Sequence, residues 1–215
     1  MIRIDCLKAL ASIIPDDTLV VATLGVTTDE WYDVAPRPAN MYLPVMGAIT
    51  PVGLGLALAL PHRRVLVLDS DGSLLLSLGI LTTVASQAPK NFGMIVFDNQ
   101  CYESIGGAPT ATASGADLAM IARGCGVQDV STVSELDAFG VASKRALTEP
   151  GPVVTVARIQ PSIAPVKPKT TDIFEDKYLF VRHVERTEGI EILKPATKGR
   201  RNPAGWSEQG GKHGT

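Results

Sequence analysis

Two short stretches of this 215-residue chain hold the side chains best suited to chemistry: Asp69-Ser70-Asp71-Gly72-Ser73 and Asp98-Asn99-Gln100. Each closes an uncharged, β-branched run, VLVL in the first case and GMIVF in the second. Asp71 and Asn99 are 28 positions apart (99 minus 71), which suits one crossover between neighbouring parallel strands. In an open parallel sheet, ligands sit beyond the carboxyl ends of the strands, so both residues can face one crevice. A carboxylate and an amide oxygen are hard donors suited to Mg²⁺, and Mg²⁺ held by one or two protein oxygens usually serves a phosphate. Gly72 lets the backbone come close to that phosphate, and a helix opening at Ser73 offers free N–H groups to an anion. The pattern points to a metal-bridged diphosphate. Taken singly the signals are weak, because Asp-Gly-Ser is commonly only a turn with a cap and a Met such as Met46 is usually core. Their joint order, Met46, Asp71-Gly72-Ser73, Asn99, Tyr102, on elements ending at one edge, favours a site.

The elements that must position these residues follow from hydrophobic periodicity and breakers. The pattern predicts helices over 5–14, 27–33 (capped by Thr27 or Thr28), 47–60, 74–86, 116–123 and 134–147 (capped by Ser134). Strands are predicted over 18–24, 41–43, 64–69, 93–98, 127–130 and 153–159. Such alternation makes an α/β domain of three layers around a mostly parallel sheet. After residue 159, Pro161, Pro165 and Pro168 make an extended connector, 172–183 can form a short helix, and 198–215 is polar and Gly-rich. The folded core is therefore expected to end near 160, with a domain over 1–165 and an irregular, partly mobile C-terminal extension over 166–215.

The order SDGS then DN resembles the thiamine-diphosphate motif, which usually reads GDG with NN one crossover later. The segments MGAITPVGLGLALALPHRRVLVLDSDGSLLLSLG, DNQCYESIGGAPT and ADLAMIARGCGV resemble the diphosphate-binding subunit of sulfopyruvate decarboxylase and the corresponding half of phosphonopyruvate decarboxylase, over roughly residues 5–165. The resemblance implies a thiamine diphosphate-binding fold with thiamine diphosphate and Mg²⁺ as cofactors. It makes Asp71, the Asn99 side-chain oxygen and the Cys101 carbonyl the metal ligands. Met46 becomes the apolar wedge that bends the cofactor, and so the one residue assigned to catalysis. The Pro44 carbonyl accepts from the cofactor's amino group, with Gly47, Ser70, Gly72, Ser73 and Tyr102 completing the binding set. Tyr102, Gly106 and Gly107 belong to a loop that closes over the diphosphate. The chain departs from the motif at Ser70, which replaces its first glycine, and at Ala108, where many relatives have a polar residue.

The activity implied is that of a 2-oxoacid decarboxylase subunit, sulfopyruvate type favoured, which is a carboxy-lyase yielding an aldehyde and CO₂. Alternatives are a subunit of another thiamine-diphosphate enzyme (phosphonopyruvate decarboxylase, an acetolactate-type synthase or a 2-oxoacid oxidoreductase) or a non-catalytic cofactor-binding or regulatory subunit. In the resembling families a glutamate on a pyrimidine-binding domain activates the cofactor. About 55 residues remain after the expected core (215 minus 160), too few for such a domain. Glu30 is accounted for by a first helical turn and Glu103 lies on the diphosphate side, so the expected partner is a pyrimidine-binding α subunit, in an α₂β₂ assembly or larger.

Composition narrows the partners. Twenty Lys and Arg against 22 Asp and Glu give a net charge of -2 and leave no basic field for nucleic acid or acidic lipid, while 5% aromatics argue against a base-stacking surface. Cys6, Cys101 and Cys125 form no metal or disulfide spacing, which fits a reducing cytoplasm, and the first residues carry no export signal. Residues 41–61 and 73–89 are uncharged. Pro44 and Pro51, and the connection carrying Arg63, Arg64, Asp69 and Asp71, argue against a membrane hairpin. Arg63 and Arg64 enter their strand opposite Asp71 and are expected on a solvated surface. His62, His183 and His213 supply no catalytic histidine.

Overall fold

The computed structural model describes residues 1–169 and 172–193. In chain order the elements are α1 (Arg3–Ala11), β1 (Leu19–Ala22), α2 (Val26–Val34), β2 (Asn40–Tyr42), α3 (Ile49–Ala59), β3 (Val65–Ser70), α4 (Asp71–Leu75), α5 (Ile80–Gln87) and β4 (Phe92–Asp98). There follow a two-residue hairpin, β5 (Cys101–Tyr102) with β6 (Ala108–Pro109), then α6 (Leu118–Gly124), β7 (Asp129–Val133), α7 (Leu136–Thr148), β8 (Val153–Arg158) and α8 (Ile173–Glu188). Six strands form one parallel sheet in the order β2-β1-β3-β4-β8-β7.

The central strands are continuous apolar runs because both of their faces are covered. Side chains alternate between two cores. Val65, Val67, Met94 and Val96 pack with residues of α3, α5 and α6 on one face. Leu66, Leu68, Ile95 and Phe97 pack with residues of α1, α2 and α7 on the other. Gly93 is required by this layering, since a Cβ there would lie 2.3 Å from the Ala146 carbonyl oxygen on α7. The three-layer, mostly parallel α/β architecture is the expected one.

Several elements differ from expectation. The single helix expected over 74–86 is two: α4 starts directly at Asp71, the chain turns after Leu75, and α5 starts after Gly79, a residue that costs about 1 kcal/mol inside a helix relative to alanine. α2 follows Gly25 with no side-chain cap, because Thr28 Oγ1 donates back to the Thr23 carbonyl. Glu135 rather than Ser134 occupies the cap position of α7, and Asp117 caps α6 through the Met120 N–H. The extended segment expected over 127–130 lies later, as β7.

The folded part also continues well past residue 160. α8 lies against β2, and its Phe180 and Val184 are buried in the first core. Arg63 is correspondingly not a solvated residue. It is 9% exposed and its guanidinium donates to the Asp17 carbonyl (2.7 and 3.1 Å), to Thr187 Oγ1 (3.1 Å) and to Glu188. α8 is mostly polar along its length, so its two buried anchors do not stand out in composition. The polar stretch 198–215 lies outside the described residues. Among the described residues no helix is long and apolar enough to cross a membrane.

Candidate active site

Strand order fixes where a ligand can enter. The chain leaves β1 for the edge strand β2 and then returns past β1 to β3 and onward to β4, so connections diverge between the carboxyl ends of β1 and β3. An open crevice lies there, the usual place for a ligand in such a sheet. Its walls include Thr23 and Leu24 after β1, Met46, then Ser70, Asp71 and Gly72 after β3, and Asn99, Cys101 and Tyr102 after β4. Seven of the ten residues expected at the site thus share one cavity. Pro44 does not line it; it is exposed and borders a neighbouring cavity with Gly25, Tyr42 and Lys169. Gly47 and Ser73 lie behind the wall.

Ser73 is fully buried, and its hydroxyl accepts from the Gly47 N–H (3.1 Å). Its other partner is Asp69, also fully buried, which accepts from Thr50 Oγ1 (2.8 Å). Burial pushes the Asp69 carboxyl up, against these hydrogen bonds. Gly47 sits at φ +77°, where a Cβ is disfavoured. Ser73 is therefore part of the scaffold that pins the turn carrying Met46 to the start of α4.

Asp71 is 1% exposed. Its Oδ2 accepts from Thr110 Oγ1 (2.7 Å) and Thr112 Oγ1 (3.2 Å), and Thr112 Oγ1 lies 2.8 Å from Asp98 Oδ1. Burial raises the Asp71 carboxyl above its usual range; the hydrogen bonds oppose this and the Asp98 charge adds to it. No ion pair reaches Asp71 among the described residues. Asn99 Oδ1 accepts from the Cys101 N–H (3.2 Å). Between them Gln100 takes φ +62°, a left-handed conformation uncommon outside glycine and frequent at functional sites. Asp98 Oδ1 accepts from its N–H (3.3 Å) and the Thr112 carbonyl from its Nε2 (3.3 Å).

The expectation that Gly72 leaves room for phosphate is altered by Tyr102. A Cβ on Gly72 would lie 2.4 Å from Tyr102 Cε1, so in this structure the ring takes the space the missing side chain frees. Gly106 and Gly107, at φ +92° and +74°, make the turn of the β5–β6 hairpin that carries Tyr102.

Glu30 and Glu103, the two carboxylates expected near the crevice, share a partner that no sequence pattern supplied, and of the two Glu103 lines the cavity. Arg3, 3% exposed, donates from Nε to Glu30 Oε2 (2.9 Å) and from Nη2 to Glu103 Oε2 (2.8 Å) and the Ser162 carbonyl (2.8 Å). The Ala164 N–H donates to Glu30 (3.1 Å) and the Ser162 N–H to Glu103. Glu30 therefore does not depend on the helix dipole, and Glu103, which lines the crevice with Cys101 and Tyr102, is paired with Arg3. Their partners are 27 and 100 positions away, beyond any local window. Thr110 and Thr112 were likewise silent, their only signal being two small hydroxyls in a Gly- and Ala-rich loop.

The donor set suits a hard cation with an anionic ligand. Asp71, Asn99 and Cys101 offer carboxylate, amide and main-chain oxygens on one wall, and a desolvated carboxylate without a cation stands among them. Among the described residues no three His, Cys, Asp or Glu side chains cluster to hold a metal, so a cation here would rely on amide, main-chain and ligand oxygens.

Comparison with known proteins supplies the family. Residues 27–157 match the family described as thiamine pyrophosphate enzyme, C-terminal TPP binding domain. The chain is 37% identical over 160 residues to sulfopyruvate decarboxylase subunit beta of Methanocaldococcus jannaschii, covering 74% of this chain and 84% of that one. Against the subunit of the same name from Methanothermobacter thermautotrophicus it is 34% identical over 183 residues, 85% and 95% of the two chains. It is 39% identical over 160 residues to phosphonopyruvate decarboxylase of Streptomyces viridochromogenes, 74% of this chain but only 40% of that protein. Among solved structures, a thiamin diphosphate-dependent enzyme of Mycobacterium smegmatis superposes with a TM-score of 0.65 at 25% identity, over 75% of this chain and 32% of that one. The chain belongs to the family of thiamine diphosphate-dependent enzymes, of which it carries the C-terminal, TPP-binding domain.

Proposed function

We propose that this chain is the diphosphate-binding subunit of a thiamine-diphosphate-dependent 2-oxoacid decarboxylase of the sulfopyruvate type, releasing an aldehyde and CO₂. The observation that carries the reading is the meeting of Asp71, Asn99, Cys101 and Met46 in the crevice between β1 and β3. The similarity to two sulfopyruvate decarboxylase beta subunits supports the substrate class. The cofactor domain covers residues 1–165, with 166–215 as an extension. When bound, thiamine diphosphate supplies the nucleophile and the electron sink for loss of CO₂ from a 2-oxo acid. The chain's own part is to bind and orient. Asp71, Asn99 Oδ1 and the Cys101 carbonyl hold Mg²⁺, while Ser70, Gly72 and Tyr102 border the diphosphate. Met46 sets the cofactor's shape from a turn fixed by Gly47 and Ser73.

Glu103 in the crevice wall and Glu30 behind it are both committed to Arg3, which supports a separate α subunit as the source of the activating carboxylate. The assembly is α₂β₂ or larger, in the cytoplasm. The test is to measure Mg²⁺-dependent thiamine diphosphate binding and CO₂ release from sulfopyruvate with the chain alone and with its partner subunit. CO₂ release only with the partner is expected. Turnover by the chain alone, at several per second, contradicts the split site; cofactor binding without turnover in the complex contradicts the decarboxylase assignment.

A further inference from the structure

We propose that Thr110 and Thr112 are positioning residues for the metal-binding carboxylate: they hold Asp71 by one oxygen and tie it to the segment that carries Asn99 and Cys101. The inference rests on the cofactor reading above. Thr110 and Thr112 are 3% and 5% exposed, so bulk water cannot replace their hydroxyls. Both reach the same oxygen, Asp71 Oδ2, at 2.7 and 3.2 Å.

Proton counting orders these contacts. Each hydroxyl has one proton to give, while the short contacts number four: Thr110 to Asp71, Thr112 to Asp71, Thr112 to Asp98 at 2.8 Å, and Thr110 with Thr112 at 2.9 Å. The shortest contact of each assigns the Thr110 proton to Asp71 and the Thr112 proton to Asp98. Thr110 is thus the principal holder of Asp71, and Thr112 donates to Asp98 at the end of β4 with its oxygen 3.2 Å from Asp71 Oδ2.

The threonines are placed to transmit position. Thr110 directly follows β6, in which Pro109 is paired with Cys101 on β5, and its N–H donates to the Gln100 carbonyl (3.0 Å). The hairpin that carries the Cys101 carbonyl therefore also carries the hydroxyl that fixes Asp71. The separation of the two ligand segments is set by this contact as well as by the β3–β4 pairing. Mg²⁺ demands near-ideal octahedral geometry, whereas Ca²⁺ accepts irregular sites, and outer-shell hydrogen bonds to ligating carboxylates typically contribute 10–100-fold in metal affinity.

The test uses the full chain with its partner subunit and titrates Mg²⁺ and Ca²⁺ calorimetrically at fixed thiamine diphosphate. Thr110→Val keeps the shape and removes the hydroxyl. It is expected to weaken Mg²⁺ by 10–100-fold and Ca²⁺ by less, shifting the ratio of the two affinities, while Thr110→Ser restores both to within about threefold. Thr112→Val is expected to have a smaller effect on Mg²⁺ than Thr110→Val. A Thr110→Val protein that melts lower but binds Mg²⁺ and Ca²⁺ as the wild type does overturns the proposal and leaves the cofactor reading standing. So does a Thr110→Ser protein as impaired as Thr110→Val. A wild-type complex that takes up no Mg²⁺ with the cofactor overturns the cofactor reading and this inference with it.

Discussion

At one part of the crevice wall Glu103, with Glu30 behind it, meets the guanidinium of Arg3 and two backbone N–H groups; at another, Asp71, with Asp98 behind it, meets threonine hydroxyls. Both groups place two carboxylates where water is scarce. The first brings its own cation and donors from the 162–164 connector, so it is complete within the chain and its work is to hold α1, α2, the turn after Tyr102 and the connector together. The second lacks a cationic partner among the described residues, and burial raises the Asp71 carboxyl. A buried charge left in that state is costly unless something pairs with it. The difference separates an acidic cluster already paired within the chain from one that, on the proposed reading, holds the cation.

The largest effect expected from this contrast falls on the first cluster. Arg3→Met leaves two buried carboxylates without their cation, and urea unfolding should show a loss of about 3–5 kcal/mol, the range for breaking a buried ion pair from one side. A loss under about 1 kcal/mol would remove the structural half of the comparison. The second cluster should respond in the opposite way. Asp71→Asn discards a desolvated charge, so folding stability without cofactor should be unchanged or higher. Mg²⁺-dependent binding of thiamine diphosphate should fall at least tenfold, about 1.4 kcal/mol. Unchanged affinity by calorimetry would sink the metal assignment.

Which parts were legible in sequence follows the same division. The strands over 64–69 and 93–98 show as uncharged runs with an acid at the end, and their register places Asp69 and Ser70 beside Val96 and Phe97. Asp71 and Asn99 consequently leave the sheet at one edge. Local pattern carries that much because burial on both faces and termination at a polar residue are local properties. Arg3 with Glu103 is a contact across 100 positions, and no periodicity encodes it. The turn at 76–79 was hidden by an uncharged run, and the packing of the expected C-terminal helix onto the core by its polar majority, with Phe180 and Val184 as its buried anchors. Pro44 was placed by motif order alone, and the chain between Tyr42 and Met46 directs it to the neighbouring cavity instead.

Met46 sharpens the contrast at a smaller scale, since it lines the crevice without touching either acidic cluster by charge. The turn that holds it is fixed by Gly47 in a left-handed conformation and by the Ser73 hydroxyl. Met46→Ala should therefore leave fold and metal binding nearly intact and lower kcat by roughly tenfold, because misplacement of a bound group is felt in the rate before the affinity. Equal losses in kcat and cofactor affinity would make Met46 an ordinary packing residue.

The smallest effect expected is a difference in thiol labelling. Cys6 is wholly buried and its thiol is pushed up to about 12 by that burial; a thiol reacts as its thiolate, so iodoacetamide at neutral pH should leave Cys6 untouched in the folded chain. Cys101 is partly exposed on the crevice wall, and Cys125, also partly exposed, follows α6 and does not line that crevice. Thiamine diphosphate with Mg²⁺ should slow Cys101 labelling by a few fold through shielding and leave Cys125 unchanged, as read by mass spectrometry of the labelled peptides. In Asp71→Asn the protection of Cys101 should disappear while Cys6 stays inert, since the fold is kept and only the cation is lost. In Arg3→Met, Cys6 on the same helix as the lost guanidinium should begin to label as that helix loosens. Protection of Cys101 that survives Asp71→Asn would place the ligand elsewhere in the crevice. Cys6 labelling that stays at zero in Arg3→Met would mean that the Glu30 and Glu103 cluster holds the wall without its cation.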